Sequence, residues 1–230
     1  MQVKKFFKFF GIGAAILIVG VMVAGQIANY SVPVIDHPGK IYSVNGKNMH
    51  LYCTGPHDDK QPTVVIIAGL GVQSPLYYDL QEELSKSVRT CTYDRAGNGW
   101  SEPNDLPAHA KNMSDDLHQL LQDANIDGPI ILAGHSIGGT VSLIYSADHE
   151  EQVAGIAFID SSHYNQINYF GKEFKEISDR QIEELLASFW LIELASKLGI
   201  FSMIGVFDTL GFEDHEEVHK TATSFDRWRV

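Results

Sequence analysis

A serine stands between two glycines in the segment LAGHSIGGT, residues 132–140. Gly134, Ser136 and Gly138 form a G-x-S-x-G pattern, which follows an apolar, strand-like run and precedes a helical pattern. A tight turn from strand to helix exposes the serine hydroxyl, and its flanks must be small because neighbouring backbone crowds them. We therefore predict that Ser136 is a nucleophile. The backbone N–H of Ile137 is predicted to stabilise the oxyanion that forms on attack at a carbonyl.

A second oxyanion donor is expected from the loop that follows an earlier strand. The segment TVVIIAGLG reads as a buried strand closed by glycines. Gly69 would let the backbone approach a substrate closely, so the N–H of Leu70 is the predicted second donor. A plain glycine turn that closes the strand is the alternative interpretation.

Apolar strand-like runs alternate with helical patterns through the middle of the chain. This alternation predicts an α/β protein with a mostly parallel sheet covered by helices on both faces. Asn45-Gly46 is a strong hairpin signal near the beginning of the sheet. The segment SDDLHQLLQDANI predicts an amphipathic helix with Ser114 as its N-cap. After about residue 162 the pattern is helical and no further strand–glycine–helix unit follows.

The net negative charge of the chain indicates which partners it is not expected to bind. The 230 residues carry 29 acidic and 17 basic side chains, a formal net charge of -12. An acidic body repels phosphates, so a nucleic-acid partner is not expected.

The first 28 residues differ from the rest of the chain. Three lysines, at positions 4, 5 and 8, precede an apolar run from Phe9 to Gly25. This run predicts a membrane-spanning anchor with its N-terminus in the cytoplasm and the body of the protein on the extracytoplasmic side. A cleaved signal, which would make the protein secreted, is the alternative. Residues 29–40, with two prolines and no periodic pattern, read as a linker.

Four segments together resemble the α/β-hydrolase superfamily, in particular its esterase, proline iminopeptidase and haloperoxidase-like branch. They are TVVIIAGLG, CTYDRAGNGWS, ILAGHSIGG and GIAFIDSSH, and the similar stretch covers residues 41–163. The resemblance implies hydrolysis of a carboxylic ester, or less commonly an amide, through an acyl-enzyme on Ser136, with a small-molecule substrate and no cofactor or metal. It also implies that Asp94 and Arg95 support the loop beneath the serine rather than take part in the chemistry.

The family's strand order bears on the two cysteines. It would place Cys53 on the second strand and Cys91 on the adjacent fourth strand, which makes a disulfide geometrically possible. Two separate buried thiols are the alternative.

The catalytic acid and base of the family usually follow its seventh and eighth strands, and no matching segments follow residue 163. Residues 164–230 resemble the family's helical cap. We therefore expect a C-terminally truncated hydrolase whose activity is doubtful, or a non-catalytic, membrane-anchored pseudohydrolase that binds a ligand or partner. Asp160 and His163, at the end of the sixth strand, are the substitutes considered for acid and base, while His135 is interpreted as bracing a loop.

A second motif suggests a different chemistry. His215 to His219 read HEEVH, which matches the H-E-x-x-H pair of a zinc protease. Such a site needs a third protein ligand and only 11 residues follow, so the zinc protease is the remote alternative.

Overall fold

The computed structural model describes residues 19–27, 36–58, 61–169 and scattered positions between 176 and 200. These residues fall into two compact units. Residues 36–169 belong to one unit, and the described residues before 36 and after 175 belong to the other. The predicted linker and the zinc motif lie largely or wholly outside the described residues.

A six-stranded sheet forms the centre of the unit that contains residues 36–169. Its spatial order is β1-β2-β4-β3-β5-β6. β1 and β2 are antiparallel to their neighbours, whereas β4, β3, β5 and β6 are parallel to one another. The strands are β1 (Lys40–Val44), β2 (Lys47–Thr54), β3 (Thr63–Ile67), β4 (Thr90–Tyr93), β5 (Ile130–Ser136) and β6 (Val153–Ser161).

The helices cover both faces of this sheet, as the alternating pattern predicts. A 3-10 turn, Ser74–Tyr77, leads into α2 (Tyr78–Ser85); α3 is Ala110–Asp123, α4 is Ile137–Asp148 and α5 is Gln166–Tyr169. Val65 and Ile67 of β3 pack in a cluster with α3 and α4. Val64 and Ile66 pack in the opposite cluster, beside Leu84 of α2. β3 is therefore buried on both faces, because successive side chains of a strand point to opposite sides.

The predicted hairpin joins β1 to β2. Asn45 and Gly46 both have positive φ, 51° and 78°, as a type I′ turn requires. The hairpin sets the register in which Val44 pairs with Lys47 and Ile41 with His50.

A disulfide joins Cys53 of β2 to Cys91 of β4. The two residues are direct partners across the antiparallel pair, with their Cα atoms 4.0 Å apart. The bond closes a loop with a sequence separation of 38 residues and ties the hairpin to the parallel part of the sheet.

In the other unit, a helix (α1) is described over residues 19–27. Within the described part of the chain, no helix has the length and apolar character needed to cross a bilayer. The predicted anchor also includes residues 1–18, which are not described, so the anchor stays a prediction.

Two histidines on the α3–α4 side of the sheet stack face to face. The rings of His118 and His149 lie 3.7 Å apart with an angle of 3° between their planes. Burial, and then the nearby His149, lower the pKa of His118 from 6.5. As pH falls, the imidazole of residue 118 is therefore protonated in the unfolded chain before it is protonated in the folded chain. The folded state loses stability relative to the unfolded state as pH falls below about 6.5.

We expect His118→Gln to weaken the loss of stability between about pH 6.5 and pH 5, because the variant has no imidazole to protonate there. Chemical denaturation at several pH values measures this. His109→Gln, which alters an exposed histidine, is the control and should keep the wild-type pH dependence. If the free energy of unfolding depended on pH equally in wild type and His118→Gln, the lowered pKa of His118 would be contradicted.

Candidate active site

Ser136 lies at the junction of a strand and a helix. It is the last residue of β5, and α4 begins at Ile137. Its backbone has φ 52° and ψ -123°, a combination that side chains with a Cβ rarely adopt. Because Ile137 is the first residue of α4, its N–H has no hydrogen-bond partner one turn earlier in the helix. The turn therefore combines a strained serine with a backbone donor that is free to face a substrate.

Glycines make this turn possible because the backbone passes very close to itself. A Cβ on Gly134 would lie 2.6 Å from the carbonyl carbon of Gly138. A Cβ on Gly138 would overlap the carbonyl oxygen of Ile67, at the end of β3. A Cβ on Gly139 would lie 2.7 Å from Oγ of Ser161. Gly134 thus allows β5 to pack against the first turn of α4, and Gly138 and Gly139 allow that turn to pack against β3 and β6.

The loop after β3 lies against the serine. A Cβ on Gly69 would be 3.3 Å from Cβ of Ser136 and 2.9 Å from Nδ1 of His135. A side chain at position 69 would force Ser136 or His135 to shift, so glycine lets the backbone come this close to Ser136. We refer to residues 68–70 as the oxyanion loop.

Hydrogen bonds occupy the first two carbonyls of the oxyanion loop. The guanidinium of Arg95, which is 5% exposed, donates to the carbonyls of Ala68 and Gly69. The Gly69 carbonyl also accepts from the N–H of Val72, at 3.3 Å. Among the described residues, none accepts a hydrogen bond from the N–H of Leu70. The donor predicted from the sequence therefore lies in a fixed loop and remains available.

Asp94 holds the neighbouring segments in place from a buried position, 1% exposed. Its carboxylate accepts from the backbone N–H of Ser74 at 2.8 Å and of Trp100 at 3.3 Å. It also lies within hydrogen-bond distance of Nδ1 of His50, at 2.9 Å, and Nε2 of the same ring donates to the carbonyl of Pro38. Both Asp94 and Arg95 contact structural groups, which is the supporting role that the resemblance implies.

The ring of His135 makes a hydrogen-bonded contact with Tyr77. Its Nδ1 lies within hydrogen-bond distance of the Tyr77 hydroxyl, at 2.8 Å. The same hydroxyl accepts from the N–H of Gly69 at 3.2 Å. His135 therefore braces the oxyanion loop, and its geometry does not place it as the catalytic base.

The substitutes considered for acid and base lie at the end of β6. Asp160 is exposed and has φ 42°, where the pairing with β5 shifts register. His163 is exposed, and its Nδ1 accepts from the N–H of Asn165 at 3.1 Å. The nearby Ser162 donates its N–H to the Ser136 carbonyl at 2.8 Å. In the part of the chain that the structure describes, no side chain is hydrogen-bonded to the Ser136 hydroxyl.

Two residues of this region were missed by reasoning from the sequence. Tyr77 bonds to residues 8 and 58 positions away, and no local pattern signals either contact. His50 lies between Met49 and Leu51, which point to the opposite face of β2, and no local pattern signals its burial.

Metal ligands were also considered. Over residues 19–27, 36–58 and 61–169 and the described positions beyond, no group of three or more potential ligands comes together. The HEEVH motif lies outside this part of the chain.

Comparison with known proteins defines the class. The family model for the alpha/beta hydrolase fold matches residues 62–182. The chain belongs to this family. A thermophilic esterase from Thermogutta terrifontis is 22% identical, with a TM-score of 0.52 over 65% of this chain and 53% of that one. An N-acyl homoserine lactone degrading enzyme is 16% identical, with a TM-score of 0.53 over 83% of this chain and 66% of that one. At these identities the likeness shows the fold alone.

Curated relatives are longer than this chain. An uncharacterised protein of Schizosaccharomyces pombe is 30% identical over an alignment of 165 positions, which covers 60% of this chain and 31% of that protein. An uncharacterised vacuolar membrane protein of Saccharomyces cerevisiae is 29% identical over 108 residues, 45% of this chain and 17% of that protein. The chain thus spans about a third or less of the length of these two relatives.

Proposed function

We propose that this protein is a serine hydrolase that acts on small carboxylic esters through an acyl-enzyme on Ser136. The observation that carries the proposal is the backbone of Ser136, held at positive φ between β5 and α4 with the glycine of the oxyanion loop against its Cβ. Such a turn presents a nucleophile beside two backbone donors, as acyl transfer requires.

In the proposed reaction, the Ser136 oxygen attacks the ester carbonyl carbon. The carbonyl oxygen gains the negative charge, and the N–H groups of Leu70 and Ile137 stabilise it. Collapse of this intermediate breaks the bond to the alcohol, which leaves with a proton, and an acyl group stays on Ser136. Attack by water on the acyl group then releases the carboxylic acid and restores the serine.

Proton transfer from the serine requires a base. Asp160 and His163 are the candidates within the described chain, because Ser161 pairs with Ser136 and β6 ends beside the elbow. An elbow and an oxyanion hole without a full triad still accelerate hydrolysis by about 10³–10⁴-fold over water in a well-studied protease. That residual rate does not depend on the serine, so a dependence of turnover on Ser136 is what marks the acyl-enzyme route.

We also propose that residues 1–28 anchor the protein in a membrane, with the body of the protein on the extracytoplasmic side. Lysines before an apolar run support the orientation, and the Cys53–Cys91 disulfide fits an oxidising compartment. The yeast relative named as a vacuolar membrane protein supports the membrane association. Alkaline carbonate extraction of membranes tests it: release into the supernatant would contradict an uncleaved anchor.

Ester turnover tests the proposed function. With p-nitrophenyl esters of two to ten carbons, we expect Ser136→Ala to lower kcat/KM by about 10³-fold or more, since the covalent step is lost. The control is Ser146→Ala, which alters a serine of α4 that only bonds the carbonyl of Leu143. Turnover that is equal in wild type and Ser136→Ala would favour the pseudohydrolase alternative.

A further inference from the structure

A buried tyrosine connects the oxyanion loop to the nucleophile elbow. The Tyr77 hydroxyl lies between the N–H of Gly69, at 3.2 Å, and Nδ1 of His135, at 2.8 Å. Gly69 belongs to the oxyanion loop, and His135 directly precedes Ser136. One hydroxyl therefore bridges the two segments that carry the proposed oxyanion donors.

The direction of each hydrogen bond follows from the groups involved. The N–H of Gly69 can only donate, so the tyrosine oxygen accepts there, and its own proton is free to be donated to Nδ1 of His135. We assign this direction, in which Nδ1 of His135 accepts and the ring carries its proton on Nε2. Burial raises the pKa of Tyr77 above its usual 10, against smaller lowering effects of the Gly69 N–H and Arg95, so the hydroxyl keeps the proton that it donates.

We propose that Tyr77 and His135 are positioning residues that fix the oxyanion loop against the nucleophile elbow. This inference deepens the proposed serine hydrolase function and rests on it. Arg95 holds the loop by its carbonyls, and Tyr77 holds it by the N–H of Gly69. Because the carbonyls of Ala68 and Gly69 and the N–H of Gly69 already have partners, the N–H of Leu70 is left to face a substrate. The Tyr77 bridge between Gly69 and His135 sets the distance between the N–H of Leu70 and the N–H of Ile137.

Loss of the bridge should affect the transition state more than substrate binding. An oxyanion forms only after attack, so a displaced donor lowers kcat and leaves KM nearly unchanged. Tyr77→Phe keeps the ring, which packs in the α2-side cluster, and removes only the hydroxyl. His135→Leu removes the acceptor, whereas His135→Asn places an amide oxygen near the position of Nδ1.

The test measures amide hydrogen exchange at Gly69 and the rate of fluorophosphonate labelling at Ser136 in full-length protein. We expect Tyr77→Phe to speed Gly69 exchange about 10-fold and to slow labelling about 10-fold, a smaller loss than removal of an oxyanion donor itself. His135→Leu should slow labelling similarly, and His135→Asn should restore most of the rate. Ester turnover should show lower kcat with KM changed less than about twofold.

The matched control is Tyr145→Phe, which removes a buried tyrosine hydroxyl that donates to Gln152 at 2.8 Å. It should leave Gly69 exchange and labelling unchanged. Unchanged Gly69 exchange in Tyr77→Phe would overturn the positioning role. Absence of labelling in the wild type would instead overturn the proposed function, and Gly69 exchange would still decide the role of the bridge.

Discussion

Replacement of Gly138 by alanine is expected to lower the free energy of unfolding by about 2–3 kcal/mol and to eliminate labelling of Ser136. The added Cβ would overlap the carbonyl oxygen of Ile67 and lie 3.0 Å from the carbonyl carbon. Both partners are backbone at the end of a buried strand, so neither can move away without disturbing β3. The elbow must shift instead, and with it the proposed nucleophile.

Gly155 provides the matched control for this substitution. It lies in β6, and a Cβ there would meet no atom within 4 Å. Gly155→Ala should therefore leave stability unchanged or raise it by about 0.5 kcal/mol, because alanine has less backbone freedom to lose on folding. Chemical denaturation of both variants gives the comparison. Equal stability of Gly138→Ala and wild type would contradict the close approach of the elbow to β3.

Removal of the disulfide is the second large effect that we expect. The double variant Cys53→Ser, Cys91→Ser should lose about 4 kcal/mol of unfolding free energy, by the loop-closure relation for a separation of 38 residues. The reason is that the crosslink restricts the unfolded chain, and two hydroxyls cannot replace it. Denaturant midpoints of the oxidised protein and the double variant measure the loss.

Reduction of the wild-type protein is the internal control for the disulfide. Wild type in excess dithiothreitol should approach the midpoint of the double variant, because both lack the crosslink. Coincident midpoints for oxidised and reduced wild type would contradict a stabilising bond between β2 and β4.

Short sequence patterns predicted several of the turns that define the fold. The positions of Asn45-Gly46 and of the glycines around Ser136 follow from short segments, because each turn needs a residue type that tolerates positive φ or close contact. The N-terminal end of α3 was less predictable. Ser114 was expected as an N-cap but lies inside α3, fully buried, because Ala110 and Met113 extend the apolar face by a further turn.

Contacts between distant segments account for what the sequence could not predict. The bridge from Gly69 through Tyr77 to His135 joins three separate elements, and no spacing rule relates them. His50 and Asp94 are likewise 44 residues apart. Such contacts depend on strand order and register, which only the folded structure supplies. The supporting roles of Asp94 and Arg95 were accessible because the family resemblance already related that loop to the elbow.

The most direct test of the central claim is to locate a covalent adduct after treatment with a fluorophosphonate. The account predicts one adduct per chain, found by mass spectrometry on the peptide that contains Ser136, and none in Ser136→Ala. Ser146→Ala should be labelled like the wild type. A folded wild-type protein that carries no adduct, or carries it on another residue, would contradict the assignment of Ser136 as the nucleophile.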